Sequence, residues 1–70
     1  MNLRGIVATN LRHLRHAKGL SQEELADRAG INRNYIGMLE REENAATVDM
    51  LERIAIVLDA DPIEFFRRRS

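Results

Sequence analysis

The stretch QEELADRAGINRNYIGML, residues Gln22 to Leu39, decides the reading of this chain. Leu25, Ala26, Ala29 and Gly30 are followed at fixed distances by Ile31, Ile36 and Leu39. That order suits two short helices joined by a sharp turn. Ala26 is small where the second helix must cross close above the first. Gly30 supplies the positive φ that such a turn requires. Ile31, Ile36 and Leu39 then anchor the second helix to a core and leave its other side outward. At about 100° per residue, Arg33, Asn34, Gly37, Met38 and Arg41 fall within one arc of roughly 140°, opposite Ile36 and Leu39.

Working outward, the flanking residues set the helix boundaries. Ser21 is a good N-cap, and Glu24 three residues later completes a capping box, so one helix is expected over Gln22–Ala29. Asn32 caps the next, which runs to about Arg41. Upstream, Leu3, Val7, Leu11 and Leu14 space one apolar stripe along a first helix, Leu3 to Ala17, which Lys18-Gly19 ends. Downstream, Glu42-Glu43-Asn44-Ala45-Ala46 reads as a loop. Thr47 caps a fourth helix to Leu58, with Val48, Leu51, Ile54, Ala55 and Leu58 as its stripe. Asp61-Pro62 opens a fifth helix carrying Ile63, Phe65 and Phe66, followed by Arg67-Arg68-Arg69-Ser70, read as a solvated tail. Nothing reads as a strand. The expected class is all-α, a compact five-helix fold, with residues 1–70 as one domain and the two-helix unit at about 21–41.

Composition narrows the function. With 70 residues and no cysteine, the chain has a small core, no disulfide and no thiolate metal site. The start lacks a secretion signal and no stretch approaches a membrane span, so a cytoplasmic protein with no membrane partner is expected. No nucleophile–base pattern or Gly-rich phosphate loop is present, and the core is too small for a deep pocket. No enzyme, cofactor or small-molecule substrate is expected. His13 and His16 are spaced i, i+3, but a metal needs at least three protein ligands and no carboxylate lies in the adjacent turn, so no metal is expected. Eleven Lys plus Arg balance eleven Asp plus Glu, which predicts modest electrostatic attraction to phosphate. Ten of the eleven cations are Arg, however, the better fork for phosphate and guanine.

The outward arc then acquires a chemical meaning. Arg33 reaches guanine and Asn34 reaches adenine when such a helix enters a major groove. Gln22 sits at a helix N-terminus, where free amides favour a phosphate. Tyr35 stands at the boundary of core and groove, within reach of a phosphate. Met38 can meet a thymine methyl, and Asn32 can touch a phosphate while capping. Gly37 permits close approach to DNA. Arg41 is a backbone contact for which Glu42 and Glu43 compete.

The stretch LRHLRHAKGLSQEELADRAGINRNYIGMLERE, followed by TVDMLERIAIVLDADPIEFF, resembles the Cro/repressor-type (XRE-like) helix-turn-helix family over residues 7 to 67. The resemblance implies a lambda-repressor-like domain that binds a double-stranded DNA operator, with the third helix in the major groove. It gives DNA contacts to Gln22, Asn32, Arg33, Asn34 and Met38, and a structural ion pair to Arg15 and Glu40. It also implies a symmetric dimer. Adjacent helical positions point about 100° apart, so of Phe65 and Phe66 one closes the core. The other, with Ile63, is left for self-association, and Ile63, Phe65 and Phe66 are the candidate homodimer residues. The departures lie after Glu40. The family follows its Glu with a Gly and later a Pro, whereas this chain has Arg41-Glu42-Glu43-Asn44-Ala45-Ala46, whose acids oppose phosphate. The length suits a restriction–modification controller better than a phage repressor. A protein-interaction module and an antitoxin-type autorepressor are the alternatives.

Overall fold

The computed structural model describes residues 2–69; Met1 and Ser70, the ends of the expected 1–70 domain, lie outside it. Four α-helices follow one another: α1 (Leu3–Ala17), α2 (Gln22–Ala29), α3 (Arg33–Glu40) and α4 (Val48–Leu58). A 3-10 turn, Pro62–Phe66, comes last, and the described residues contain no strand.

Each helix starts where a side chain can take up a free amide. Asn2, Ser21, Asn32 and Thr47 accept from the backbone N–H of Gly5, Glu24, Asn34 and Met50. At Ser21 the box is reciprocal, the Glu24 carboxylate accepting the Ser21 N–H at 3.0 Å. Those bonds hold the Glu24 carboxyl below its ordinary pKa.

All four helices also end alike, in a left-handed residue followed by a back-bonded N–H. Leu20 donates to the Arg15 carbonyl at 3.1 Å, Ile31 to Ala26 at 2.9 Å, Glu43 to Met38 at 2.9 Å and Ala60 to Ala55 at 3.0 Å. The left-handed residues are Gly19 and Gly30 at the first two ends, but Glu42 (φ 62°) and Asp59 (φ 52°) at the others.

The fifth helix expected from Asp61-Pro62 is a five-residue 3-10 turn instead. The reason is a buried asparagine on α1. Asn10 Nδ2 donates to the carbonyls of Phe65 (2.8 Å) and Arg67 (2.7 Å), and Arg67 is already extended at ψ 128°. With the Phe65 carbonyl held by α1, the last turn does not go on as an α-helix. Residues 67–69 are exposed, as a solvated tail would be, but two of them are tied to the domain. Arg69 Nε donates to Asn10 Oδ1, and Arg67 pairs with Glu64 at 3.0 Å.

Phe65, Leu11, Leu25, Ile36, Ile54 and Leu58 fill the interior. In the helix pairing, α1 lies against α3 and the 3-10 turn, and α2 lies against α3 and α4. Ala26, on α2, is almost fully buried. Two stripe positions read as core are outside it: Leu3 and Val48 are exposed. Phe65 is wholly buried, which removes it from the dimer candidates and leaves Ile63 and Phe66 on the surface.

Candidate nucleic-acid interface

The outer surface of α3 is fixed from behind by one buried carboxylate. Glu40 Oε2 accepts from Arg15 Nε at 2.7 Å, and Oε1 accepts from Arg15 Nη2 at 2.9 Å and from Gln22 Nε2 at 3.0 Å. Arg15 also donates to the Leu20 carbonyl at 2.9 Å, and Arg12 caps the end of α3 through the Glu40 carbonyl. One node therefore ties α1, α2 and α3 together. The Arg15–Glu40 pair is a fork with two parallel bonds, the strong form of this interaction.

On the outward side, Arg33 and Asn34 are exposed in the first turn of α3. Their backbone is set by Asn32, whose Oδ1 accepts from Asn34 N–H at 2.8 Å. Gln22, Glu23, Arg33, Asn34, Gly37 and Arg41 line one shallow concavity between the start of α2 and α3. The free amides at the start of both helices lie beside it, a setting that favours anions.

The concavity already contains charge partners. Glu23 accepts from Arg33 Nη1 across the turn between the helices. Arg41 Nε and Nη2 both donate to the Glu43 carboxylate, at 3.0 and 3.1 Å. The Arg41 bonds hold the Glu43 carboxyl below its ordinary range, and Glu43 in turn raises the Arg41 guanidinium.

The candidate residues thus divide. Gln22, Arg33, Asn34, Gly37 and Arg41 are brought together, with Asn32 beside Arg33 and Asn34. Tyr35 and Met38 are half-buried and stand apart from the concavity, the Tyr35 hydroxyl donating to the Ala45 carbonyl at 3.5 Å. Gly37 does not present a bare surface. It is buried beneath Arg41, and a Cβ there would lie 2.9 Å from Arg41 Nη1. Gln22 gives one N–H of its side-chain amide to Glu40.

Sequence reading missed Arg12, Asn10 and Glu23. Glu23 and Arg33 are ten positions apart on different helices, so no helical spacing signals their contact. Among the described residues no three His, Cys, Asp or Glu side chains are grouped to hold a metal, and no helix is long and apolar enough to cross a membrane.

Comparison with known proteins bears on this arrangement directly. The helix-turn-helix family HTH_3 matches residues 11–65. The chain belongs to that family. Control protein C.SmaI of Serratia marcescens is 36% identical over 70 residues, which is 100% of this chain and 83% of that protein. Among solved structures, the restriction-modification controller protein C.AhdI from Aeromonas hydrophila superposes with a TM-score of 0.86 at 40% identity, covering 90% of this chain and 96% of that one. The restriction-modification controller protein C.Esp1396I was crystallised as a tetramer in complex with its natural 35 base-pair operator. It superposes with a TM-score of 0.84 at 32% identity, covering 94% of this chain and 87% of that one. The HTH_3 match takes in the whole α2–turn–α3 unit and the Glu40 node behind it.

Proposed function

We propose that this chain is a sequence-specific, double-stranded-DNA-binding transcriptional regulator that binds a palindromic operator as a homodimer, with α3 in the major groove. The observation that carries the reading is the exposed Arg33–Asn34 face of α3, held by a buried node and flanked by the start of α2. Arg33 is assigned to a guanine edge and Asn34 to an adenine edge. Gln22, Asn32, Tyr35 and Arg41 are assigned to the flanking backbone, and Met38 to a thymine methyl. Within this reading, control of a restriction–modification operon is the role that the named relatives support. The working compartment is then the cytoplasm.

Size and surface chemistry support the dimer. The longest dimension of the domain is 30 Å. Successive half-sites on one face of DNA lie about 34 Å apart, so two copies side by side match the spacing. The exposed large apolar residues are Val48 (82%), Ile56 (74%), Ile63 (72%), Leu3 (52%) and Phe66 (46%). Val48 and Ile56 lie two turns apart on α4, and Ile63 and Phe66 align on the 3-10 turn. None lies on α2 or α3, which leaves the DNA face free while α4 and the turn pair.

The zero net charge favours one other reading, a helical protein-interaction module without DNA affinity. One experiment separates the two: selection of binding sequences from a pool of random duplexes over a series of salt concentrations. Recovery of a palindrome with half-sites about one helical turn apart is expected. Arg33→Ala and Asn34→Ala should each weaken that site by about 5- to 150-fold, a bidentate base contact being worth about 1–3 kcal/mol. No enrichment even at low salt would rule the regulator out in favour of the interaction module.

A further inference from the structure

Two arginines of the α3 surface are occupied by carboxylates of the chain itself, in two different ways. Arg41 is closed: Nε and Nη2, the edge with which a guanidinium grips a phosphate, both donate to Glu43. Arg33 is half-open: only Nη1 is given to Glu23, so its remaining N–H groups stay available. Both pairs lie on the surface, with side chains 53–70% exposed, so neither contributes much to folding. Gly37 belongs to the same arrangement. Glycine is unfavourable inside a helix, but a side chain there would meet Arg41 Nη1, so its absence leaves room for Arg41 to fold back over α3.

Attraction to a phosphate backbone and recognition of a base edge ask for different things. The first depends on uncompensated positive charge, which releases counterions from DNA. The second depends on N–H donors in the right place. A carboxylate bound to one guanidinium nitrogen cancels the charge and leaves donors for a guanine. We infer that Glu23 is a specificity-determining residue: by neutralising Arg33 while leaving its other donors free, it suppresses binding to DNA of any sequence more than binding to the operator, whereas Glu43, which closes Arg41, lowers backbone affinity for both. A random duplex offers phosphates, which must displace a carboxylate of equal charge and then lie beside it. An operator offers Arg33 a base edge that it can take while Glu23 still holds Nη1. Glu23 thus acts as a positioning residue through Arg33. The neutral composition, unfavourable for a DNA binder on its face, becomes part of how the protein discriminates.

This inference rests on the regulator reading, and its test keeps the two apart. Dissociation constants are measured by fluorescence anisotropy for a random 30-base-pair duplex and for the sequence recovered by selection, over a salt series. The variants are Glu23→Gln, Glu43→Gln and the double substitution. Asp27→Asn is the charge-matched control, an acid on α2 that has no ion pair among the described residues. Each Glu→Gln change should tighten random-duplex binding about three- to five-fold at low salt, the range of an exposed ion pair. In the double variant the slope of log affinity against log salt should steepen by about 0.9 for each arginine released to a phosphate. For Glu23→Gln, affinity for the selected sequence should rise less, so the specificity ratio falls; Glu43→Gln should raise both affinities alike. An unchanged ratio in Glu23→Gln, or an equal rise in random-duplex affinity in Asp27→Asn, would overturn the role of Glu23 and leave the regulator reading intact. Failure of the unsubstituted chain to select any sequence would instead remove the regulator reading itself.

Discussion

At the scale of single residues, Glu40 is the position on which the DNA face depends without belonging to it. Its carboxylate is the shared acceptor for Arg15 and Gln22, and its carbonyl is held by Arg12. Glu40→Ala leaves the Arg15 guanidinium buried without its partner, and breaking a buried pair in this way costs about 3–5 kcal/mol. Urea denaturation should show a loss of that size, and a loss below about 1 kcal/mol would mean that Arg15 finds water or another acceptor. Only half of this node was legible in the sequence. Arg15 and Glu40 are 25 positions apart, and no periodicity links them; the family resemblance alone supplied the pair. Gln22 was read as a DNA contact from its place at a helix start, and that reading had no means of seeing that Glu40 accepts its amide. Arg41 shows the opposite case. The acids beside it in the chain already marked competition, and Glu43 is the one that holds it.

At the scale of elements, the four α-helices were readable because their signals are local. Ser21 with Glu24, Asn32, Thr47, Gly19 and Gly30 each fix a boundary through backbone groups a few residues away. The ends at Glu42 and Asp59 carry no such cue, since both residues hold a left-handed backbone that glycine adopts without strain. For Glu42 this has a measurable consequence. A non-glycine residue in that region costs about 1–2 kcal/mol. Against this stands one exposed hydrogen bond, from Asn2 Nδ2 to Glu42 Oε1 at 3.0 Å. Glu42→Gly is therefore expected to stabilise the domain by about 1 kcal/mol, which raises the melting temperature of a domain this size by roughly 4–8 °C. A lower melting temperature would show that the tie to Asn2 outweighs the strain. The last element was misread for the converse reason: Pro62 and Asp61 signal a start, but the stop comes from Asn10, 55 positions earlier.

At the scale of the whole molecule, the outer face of α3 reads DNA in our proposal, and the large apolar residues left outside the core lie on α1, α4 and the last turn. Helical spacing places Leu3 and Val48 on apolar stripes correctly. It does not say that the packing of α1 and α4 leaves those two uncovered. The dimer proposal is open to test through Ile63, which is exposed in the single chain and therefore replaceable without loss of the fold. Ile63→Asp should sediment as monomer at tens of micromolar, where the unsubstituted chain sediments as dimer, and its circular dichroism should be unchanged. Monomer in both would remove these exposed apolar residues as an interface. A last consequence follows from Asn10, which grips the carbonyls of Phe65 and Arg67 across 55 and 57 positions of chain. At a synthesis rate of about 5–20 residues per second, roughly 3–11 s separate the emergence of this asparagine from that of its partners. Throughout that interval the nascent chain has Asn10 without its two carbonyls and an empty socket where Phe65 belongs. Helices α1 to α4 can form on the ribosome, but the domain closes only when its final turn arrives, so a truncated translation product should be handed to proteases rather than to DNA.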